Sequence, residues 1–377
     1  MFGLQWGLSG PHFLCVVMPD LNQKSTYEFV LPESRIATRP REPRDAARLL
    51  CVRGSHVEHR VFRDIVGMLR AGDMLVVNDV AVQKARFFVR RPSGGVVEVL
   101  LTDDASVPGR RHACLYRGSH VRPDEVLTAV GDETVCVRLS RDSEDRTSLC
   151  HVEFLGDEPV LEILERIGQL PLPPYIIKRR KTLGDPLYDA SDTEQYQTVY
   201  AKTGSAVAAP TAGLHFTDDL IAQIRAKGVT FQRLRLDVGT GTFRPVQTEC
   251  LDEHVMHTEH YVISEELAQD IRGTRARGGR VIAVGTTVVR SLEDQYQRYG
   301  EVRAGAYDTA IFIKPGYHFG IVDALITNFH LPGSTLIVLV AAFAGYENTM
   351  AAYRTAVAEG YMFYSYGDAM FLEKAGA

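Results

Sequence analysis

Three stretches of the chain share one grammar, an apolar strand that runs straight into small or polar residues. They are "FQRLRLDVGTGTF" (231–243), "RVIAVGTTVVRSLE" (280–293) and "DALITNFHLPGSTLIVLVAAFAG" (323–345), and the last two continue into helix-like periodicity. Strands that feed helices through short turns build sheets whose ligands sit in the crevice beyond the strands' carboxyl ends. The chain therefore reads as α/β, with its site at those turns. "FRDIVGMLRAGDMLVVNDV" has the same texture, a helix, a Gly72-Asp73 turn and a strand ending at Asn78, and "PREPRDAARLLCV" is a short helix entering a strand.

From about Arg86 to Phe154 the pattern changes to short alternating runs such as "VVEVLL", "RHACLYR" and "TVCVRLS", broken by Gly, Pro, Asp and Ser. That spacing predicts a small β-barrel or sandwich, and 377 residues leave room for two domains. The prolines of "PLPPYI" (171–176) favour an extended segment, and Ser191 and Glu194 of "ASDTEQYQTVYAK" have capping-box spacing for a helix. Residues 1–24 have apolar flavour without a basic leader or small-residue cleavage site, and are expected to be a frayed extension.

Composition removes several classes of function. A net charge of −5 excludes a chain-wide basic field, so any RNA contact must be a local patch. Six scattered cysteines without a C-x-x-C pair fit reduced thiols in a cytoplasmic protein rather than a zinc ribbon or disulfide framework. The apolar run from Leu336 to Ala344 is far short of the roughly 18 residues of a membrane span.

Several motifs carry possible chemistry. "AAPTAGLHFT" (208–217) is too poor in large apolar groups for a core strand and too broken by Pro210 and Gly213 for a helix; it is a connector or a bare backbone laid against a ligand. "LDVGTGTF" (236–243) has the acidic residue and G-x-G of many methyltransferases, but Arg244-Pro245 stand where a third glycine and a helix are needed. "HVMHTEH" (254–260) spaces three histidines by three; because it runs into a strand, His254, His257 and Glu259 suit hydrogen bonding or proton transfer better than a metal. In "GTTVVRSLE" (285–293), Thr286 or Thr287 caps a helix whose first turn, with Arg290, suits an anion. "TNFHLPGST" (327–335) clusters Asn328, His330 and Ser334, and "IKRRK" (177–181) is the local basic run best placed for phosphates.

In order, "LPESRIA", "GDMLVVND", "KARF", "GGVVEVLL", "PLPPYI", "YQTVYA", "GSAVAAPTAGLHFT", "VGTGTFRPV", "EHVMHTEHY", "VIAVGTTVVRSLE", "FIKPGY", "LITNFHLPGSTLIVLVAAFAGY" and "AYRTAVAEGYMFYSYGDAMF" closely resemble the S-adenosylmethionine:tRNA ribosyltransferase-isomerase family of queuosine biosynthesis. The resemblance implies a discontinuous α/β catalytic domain, 25–84 and 156–377, interrupted by an inserted small β-barrel at 85–155. It implies that the ribosyl moiety of S-adenosylmethionine is transferred and isomerised onto 7-aminomethyl-7-deazaguanine (preQ1) at the tRNA wobble position. Epoxyqueuosine-tRNA forms, and adenine and methionine leave. A cytoplasmic monomer with no metal, and no cofactor beyond S-adenosylmethionine itself, also follows from it.

The sulfonium acidifies the neighbouring C5′ proton, so one general base near working pH can start the rearrangement. On this resemblance His215, Asp237, His257, Glu259 and His330 form the acid/base pool, and Arg244 and Arg290 hold carboxylate or phosphate. Asn78, Asp79, Arg86, Thr211, Gly213, Gly239, Gly241, Thr286, Asn328 and Ser334 complete the substrate site, and Lys178, Arg179, Arg180 and Lys181 contact tRNA. "NDVAVQKAR" departs from the family pattern, with Val80 and Ala81 in polar positions and Lys84 for a proline, and Asp237 stands where histidine is usual. These departures keep a disabled tRNA-binding homologue alive beside a methyltransferase as rival readings.

Overall fold

Short, almost wholly apolar runs form the central strands of a large mixed sheet. The first part of the chain supplies β1 (Arg48–Arg53), β2 (His56–Val61), α1 (Ile65–Met68), β3 (Met74–Asn78) and β4 (Val80–Val82). It then leaves for β5 (Arg86–Arg90), β6 (Val96–Leu101), β7 (Arg111–Gly118), β8 (Val126–Ala129), β9 (Asp132–Arg141) and β10 (Cys150–Phe154). The return runs through α2 (Val160–Ile167), α3 (Pro174–Leu183), α4 (Asp192–Gln195), β11 (Thr203–Ala206), α5 (Asp218–Ala226), β12 (Thr230–Leu236), β13 (Glu259–Ile263) and α6 (Glu265–Ala276). The last part comprises β14 (Val281–Val284), α7 (Thr286–Tyr299), β15 (Gly305–Thr309), β16 (Ala324–Asn328), α8 (Thr335–Ala344), α9 (Tyr346–Ala358) and β17 (Ala369–Glu373). This computed structural model describes residues 19–375 except 119, 123, 142–149, 240–245 and 247.

The sheet order is β15-β13-β12-β3-β14-β16-β17-β1-β2, with β12, β3, β14 and β16 adjacent and parallel. All residues of β3, β14 and β16 are buried, which is why these strands lack the polar alternation of a half-exposed sheet. Met74 and Val76 face one apolar layer with Val288 and Leu292 of α7. Leu75 and Val77 face the other, with Leu220 and Ile224 of α5.

Strands β10-β7-β6-β5-β8-β9 close into an antiparallel barrel around Phe87, Val89, Val97, Val99, Val137 and Val152. Its two chain crossings lie side by side, Arg86 N–H donating to Gln169 O at 3.2 Å and Gln169 N–H to Arg86 O at 2.6 Å. The barrel is thus a closed insertion in the α/β domain. Ahead of β1, Lys24 N–H donates to Glu249 O at 2.8 Å and Asn22 Nδ2 to Asp252 Oδ2 at 2.5 Å, so residues 22–24 are held along 249–252.

Two local expectations are corrected. "PLPPYI" does not stay extended, because Pro173 takes the N-cap and Pro174 the first helical position, where a missing N–H costs nothing; Gly184, at φ 75°, ends α3. The helix predicted in "ASDTEQYQTVYAK" shrinks to the four residues of α4, since the Ser191 hydroxyl bonds Asp189 Oδ1 at 2.9 Å instead of capping. Asp192 instead grips Arg180 with both oxygens at 2.6 Å. No single helix among the described residues is long and apolar enough to cross a membrane.

Arg180 is fully buried in that pair. Asp192→Ala leaves its charge uncompensated, and urea unfolding should show a loss of about 3–5 kcal/mol.

Candidate active site

An open cleft lies at the carboxyl ends of the parallel strands, the place where sheets of this kind bind ligands. Its walls are 208–212, Val238 beyond β12, 285–287 after β14 and 327–331 after β16. Val207 N–H donates to Val238 O at 3.1 Å and lays the small residues 208–210 along the cleft. The chain then makes a 3₁₀ turn, Thr211–His215, that buries Gly213, Leu214 and His215. Gly213 is required by packing rather than by an unusual conformation, since a Cβ there would run into the Tyr200 hydroxyl.

At α7 the N-cap is Gly285, at φ 95°, and neither Thr286 nor Thr287 caps the helix as expected. The strand must turn into the helix through that left-handed residue, which leaves both threonines on the cleft wall. Helical N–H groups at such a terminus lack partners in their own helix and suit an anion. Thr287 Oγ1 is likewise buried without a partner among the described residues. Ser334 lines the cleft too, but its hydroxyl serves the backbone, accepting from Ile337 N–H at 3.4 Å and donating to Leu331 O at 2.8 Å.

Two histidines stand close by. His330 lines the cleft with Nε2 2.8 Å from Thr327 Oγ1, and burial pushes its pKa down to about 3. His215 lies behind the wall, its ring 4.9 Å from that of Phe62 and Nε2 3.2 Å from Asn328 Nδ2. Burial, with Arg44 adding to it, lowers the His215 pKa to about 4. Both imidazoles are neutral at pH 7.

The cleft also holds Tyr175 and Tyr364, whose rings are 4.6 Å apart. Sequence reasoning missed both, although each lies in a quoted motif. No local spacing marks Tyr364 as the non-glycine residue at φ 72° that turns its ring into the cleft wall.

Known proteins resemble this chain over most of its length. Residues 24–372 match the family described as queuosine biosynthesis protein. The chain belongs to that family. S-adenosylmethionine:tRNA ribosyltransferase-isomerases of Ralstonia nicotianae and Pelobacter propionicus are 48% and 46% identical, over 93% and 92% of this chain and 95% and 98% of theirs. The crystal structure of S-adenosylmethionine tRNA ribosyltransferase from Thermotoga maritima is 33% identical with a TM-score of 0.51, covering 92% of this chain and 99% of that one.

Within this family member the expected site residues divide sharply. Thr211, Thr286, Asn328, His330 and Ser334 line the cleft. Arg290 of α7 and Glu259 of β13 form a buried ion pair, with Arg290 Nε also donating to Ile311 O at 3.3 Å. Asn78 is outside the cleft lining: its amide donates to Leu236 O at 2.9 Å and accepts from Leu236 N–H and Val80 N–H, tying β3 to β12. Asp79 sits outside the cleft lining, its pKa raised by burial. Arg86 pairs with Glu98 at 2.6 Å and lies over Tyr188, at the barrel's root. Asp237 accepts from Arg235 Nε at 2.8 Å, and His257 is exposed. Among the described residues nothing stands within 4 Å of where a Gly239 Cβ would be. Gly241 and Arg244 lie outside the described residues.

The basic run is also divided. Lys178 and Lys181 are exposed on α3 and Arg179 is half-buried. Arg180 is a correction: held by Asp192, Leu187 O and Thr38 O, it presents nothing to tRNA. The departures at Val80 and Ala81 fall on β4, paired with β11, and Lys84 meets Glu165 at 2.7 Å, all outside the cleft lining.

The unfolded chain protonates His215 below about pH 6.5, whereas the folded protein does so only near 4. Stability therefore falls as pH drops through this window, by about 3 kcal/mol at about 1.4 kcal/mol per unit. His330, lowered further to about 3, adds its own loss over the same window, so denaturant unfolding should show a drop between pH 7 and pH 4 that is smaller in His215→Gln than in the wild type by about 3 kcal/mol.

Proposed function

We propose that the cleft binds S-adenosylmethionine and that the protein transfers and isomerises its ribosyl moiety onto preQ1 at the wobble position of tRNA. The products are epoxyqueuosine-tRNA, adenine and methionine. Family membership supports the reaction class, and one feature of the cleft carries the reading: the N-terminus of α7 with the buried Thr287 hydroxyl, suited to an anion, stands on the same cleft as the paired rings of Tyr175 and Tyr364. The N-terminus of α7 with Thr287 receives the methionyl carboxylate, and His330, whose pKa of about 3 is too low for it to take the C5′ proton at working pH, hydrogen-bonds the nucleoside. Tyr175 and Tyr364 offer aromatic faces to adenine. Asp237 and His257 take no part, and Glu259 and Arg290 hold each other as an ion pair. No cofactor beyond S-adenosylmethionine enters this scheme.

For tRNA, α3 runs from Tyr175 at the cleft to the exposed Lys178 and Lys181. This basic helix leads the anticodon backbone to the site. The reading carries with it a cytoplasmic monomer, and free cysteines at 51, 114, 136 and 250 are in keeping with a reducing compartment.

Incubation with S-adenosylmethionine and preQ1-tRNA should release adenine and methionine in equal amounts. S-adenosylhomocysteine release would make the protein a methyltransferase, and tRNA binding without products would make it a disabled homologue. His330→Ala should raise the KM for S-adenosylmethionine about ten-fold with kcat held within about three-fold. Lys178→Ala with Lys181→Ala should weaken tRNA binding and reduce its log–log salt slope by about 2, with the KM for S-adenosylmethionine unchanged.

A further inference from the structure

Asn328 ends β16 with an amide whose orientation the backbone dictates. The Tyr364 carbonyl can only accept, so the Asn328 atom 3.0 Å from it is Nδ2. The same nitrogen lies 3.2 Å from His215 Nε2. An amide nitrogen carries two hydrogens, and these two acceptors take both. His215 Nε2 is therefore the bare nitrogen, and the ring proton sits on Nδ1. Asn328 Oδ1 remains, buried and without a partner among the described residues, on a side chain that lines the cleft and is 2% exposed as a residue. A buried acceptor left empty carries a desolvation penalty that only an incoming donor relieves.

We infer that Asn328 Oδ1 accepts a hydrogen bond from the bound nucleoside, and that His215 is a positioning residue that holds the Asn328 amide for this task. The identity of the ligand rests on the function proposed above. The donor is an N–H or O–H of the nucleoside: the 6-amino group of adenine or a ribose hydroxyl.

The place of His215 in the fold supports this division of labour. It is absent from the cleft lining, its Nε2 is engaged by Asn328, and its ring packs on Phe62. A proton on Nε2 would oppose the Asn328 amide hydrogen, and burial keeps the ring in the neutral form that the arrangement requires. The same amide, through Tyr364 O, also holds Tyr364 in its left-handed conformation beside Tyr175. One side chain thus couples the acceptor to the aromatic wall.

The test uses the full-length protein turning over S-adenosylmethionine with preQ1-tRNA. Inhibition constants are measured for S-adenosylhomocysteine and for three analogues lacking the 6-amino group, the 2′-hydroxyl or the 3′-hydroxyl. One analogue should inhibit the wild type about ten-fold more weakly than its parent, and which one identifies the donor. In Asn328→Leu that ratio should collapse to about one. Equal inhibition by all four compounds overturns the inference, as does a ratio that persists in Asn328→Leu.

For His215, the leucine variant should raise the KM for S-adenosylmethionine about ten-fold, with kcat held within about three-fold, and the glutamine variant, which keeps an acceptor, should restore KM. A fall of about 100-fold in kcat at unchanged KM in both variants would make His215 a proton-transfer group and overturn its positioning role. The analogue series on the wild type needs no substitution, so a variant that misfolds does not blunt it. Absence of adenine release by the wild type is a separate result: it removes the proposed function, and this inference with it.

Discussion

Four parallel strands, β12, β3, β14 and β16, lie in one sheet between two apolar layers. Everything else follows from how such strands end. Their last residues meet at a common edge, beyond which the chain must turn, and the turns can carry polar groups because they leave the apolar layers. Gly285 makes one turn through a left-handed conformation, Ser334 caps the next helix, and Asn328 closes β16 with a side-chain amide. The cleft is the space these turns leave.

Around that edge, charged groups are locked into pairs or cradles. Arg180 is matched by Asp192, and Arg290 by Glu259. Buried charges persist only when paired and hydrogen-bonded, so these residues are unavailable to solvent or phosphate without breaking their pairs. Glu293 shows the same logic with backbone donors. Burial raises its pKa, while N–H groups of Gly320, Ile321 and Val322 oppose the rise and pin the segment before β16. Arg180, Arg290 and Glu259, read from the sequence as contact or catalytic groups, thus hold one another or the backbone in this fold.

Much of the architecture was legible because its signal is local. Strand-turn-helix texture marks β14–α7 and β16–α8, and the change to short alternating runs marks the barrel. Misreadings arose where a neighbour distant in sequence overrode local preference. Prolines that suggest an extended "PLPPYI" instead start α3, and Ser191 turns to Asp189 rather than capping. Asn78 looks like a ligand residue at a strand end until Leu236, 158 positions away, takes its amide.

The sequence by itself determined the α/β class, the barrel insertion, the turns that hold the site and, through motifs spread over most of its length, the family. These depend on patterns that successive residues carry themselves. Only the tertiary structure decided which of the polar residues near those turns face the cleft and which spend their hydrogen bonds on the fold. That choice depends on partners more than a hundred residues away, as when Asn328 meets His215 and leaves one amide oxygen free among the described residues. It also depends on backbone angles such as that of Tyr364, which no local composition specifies.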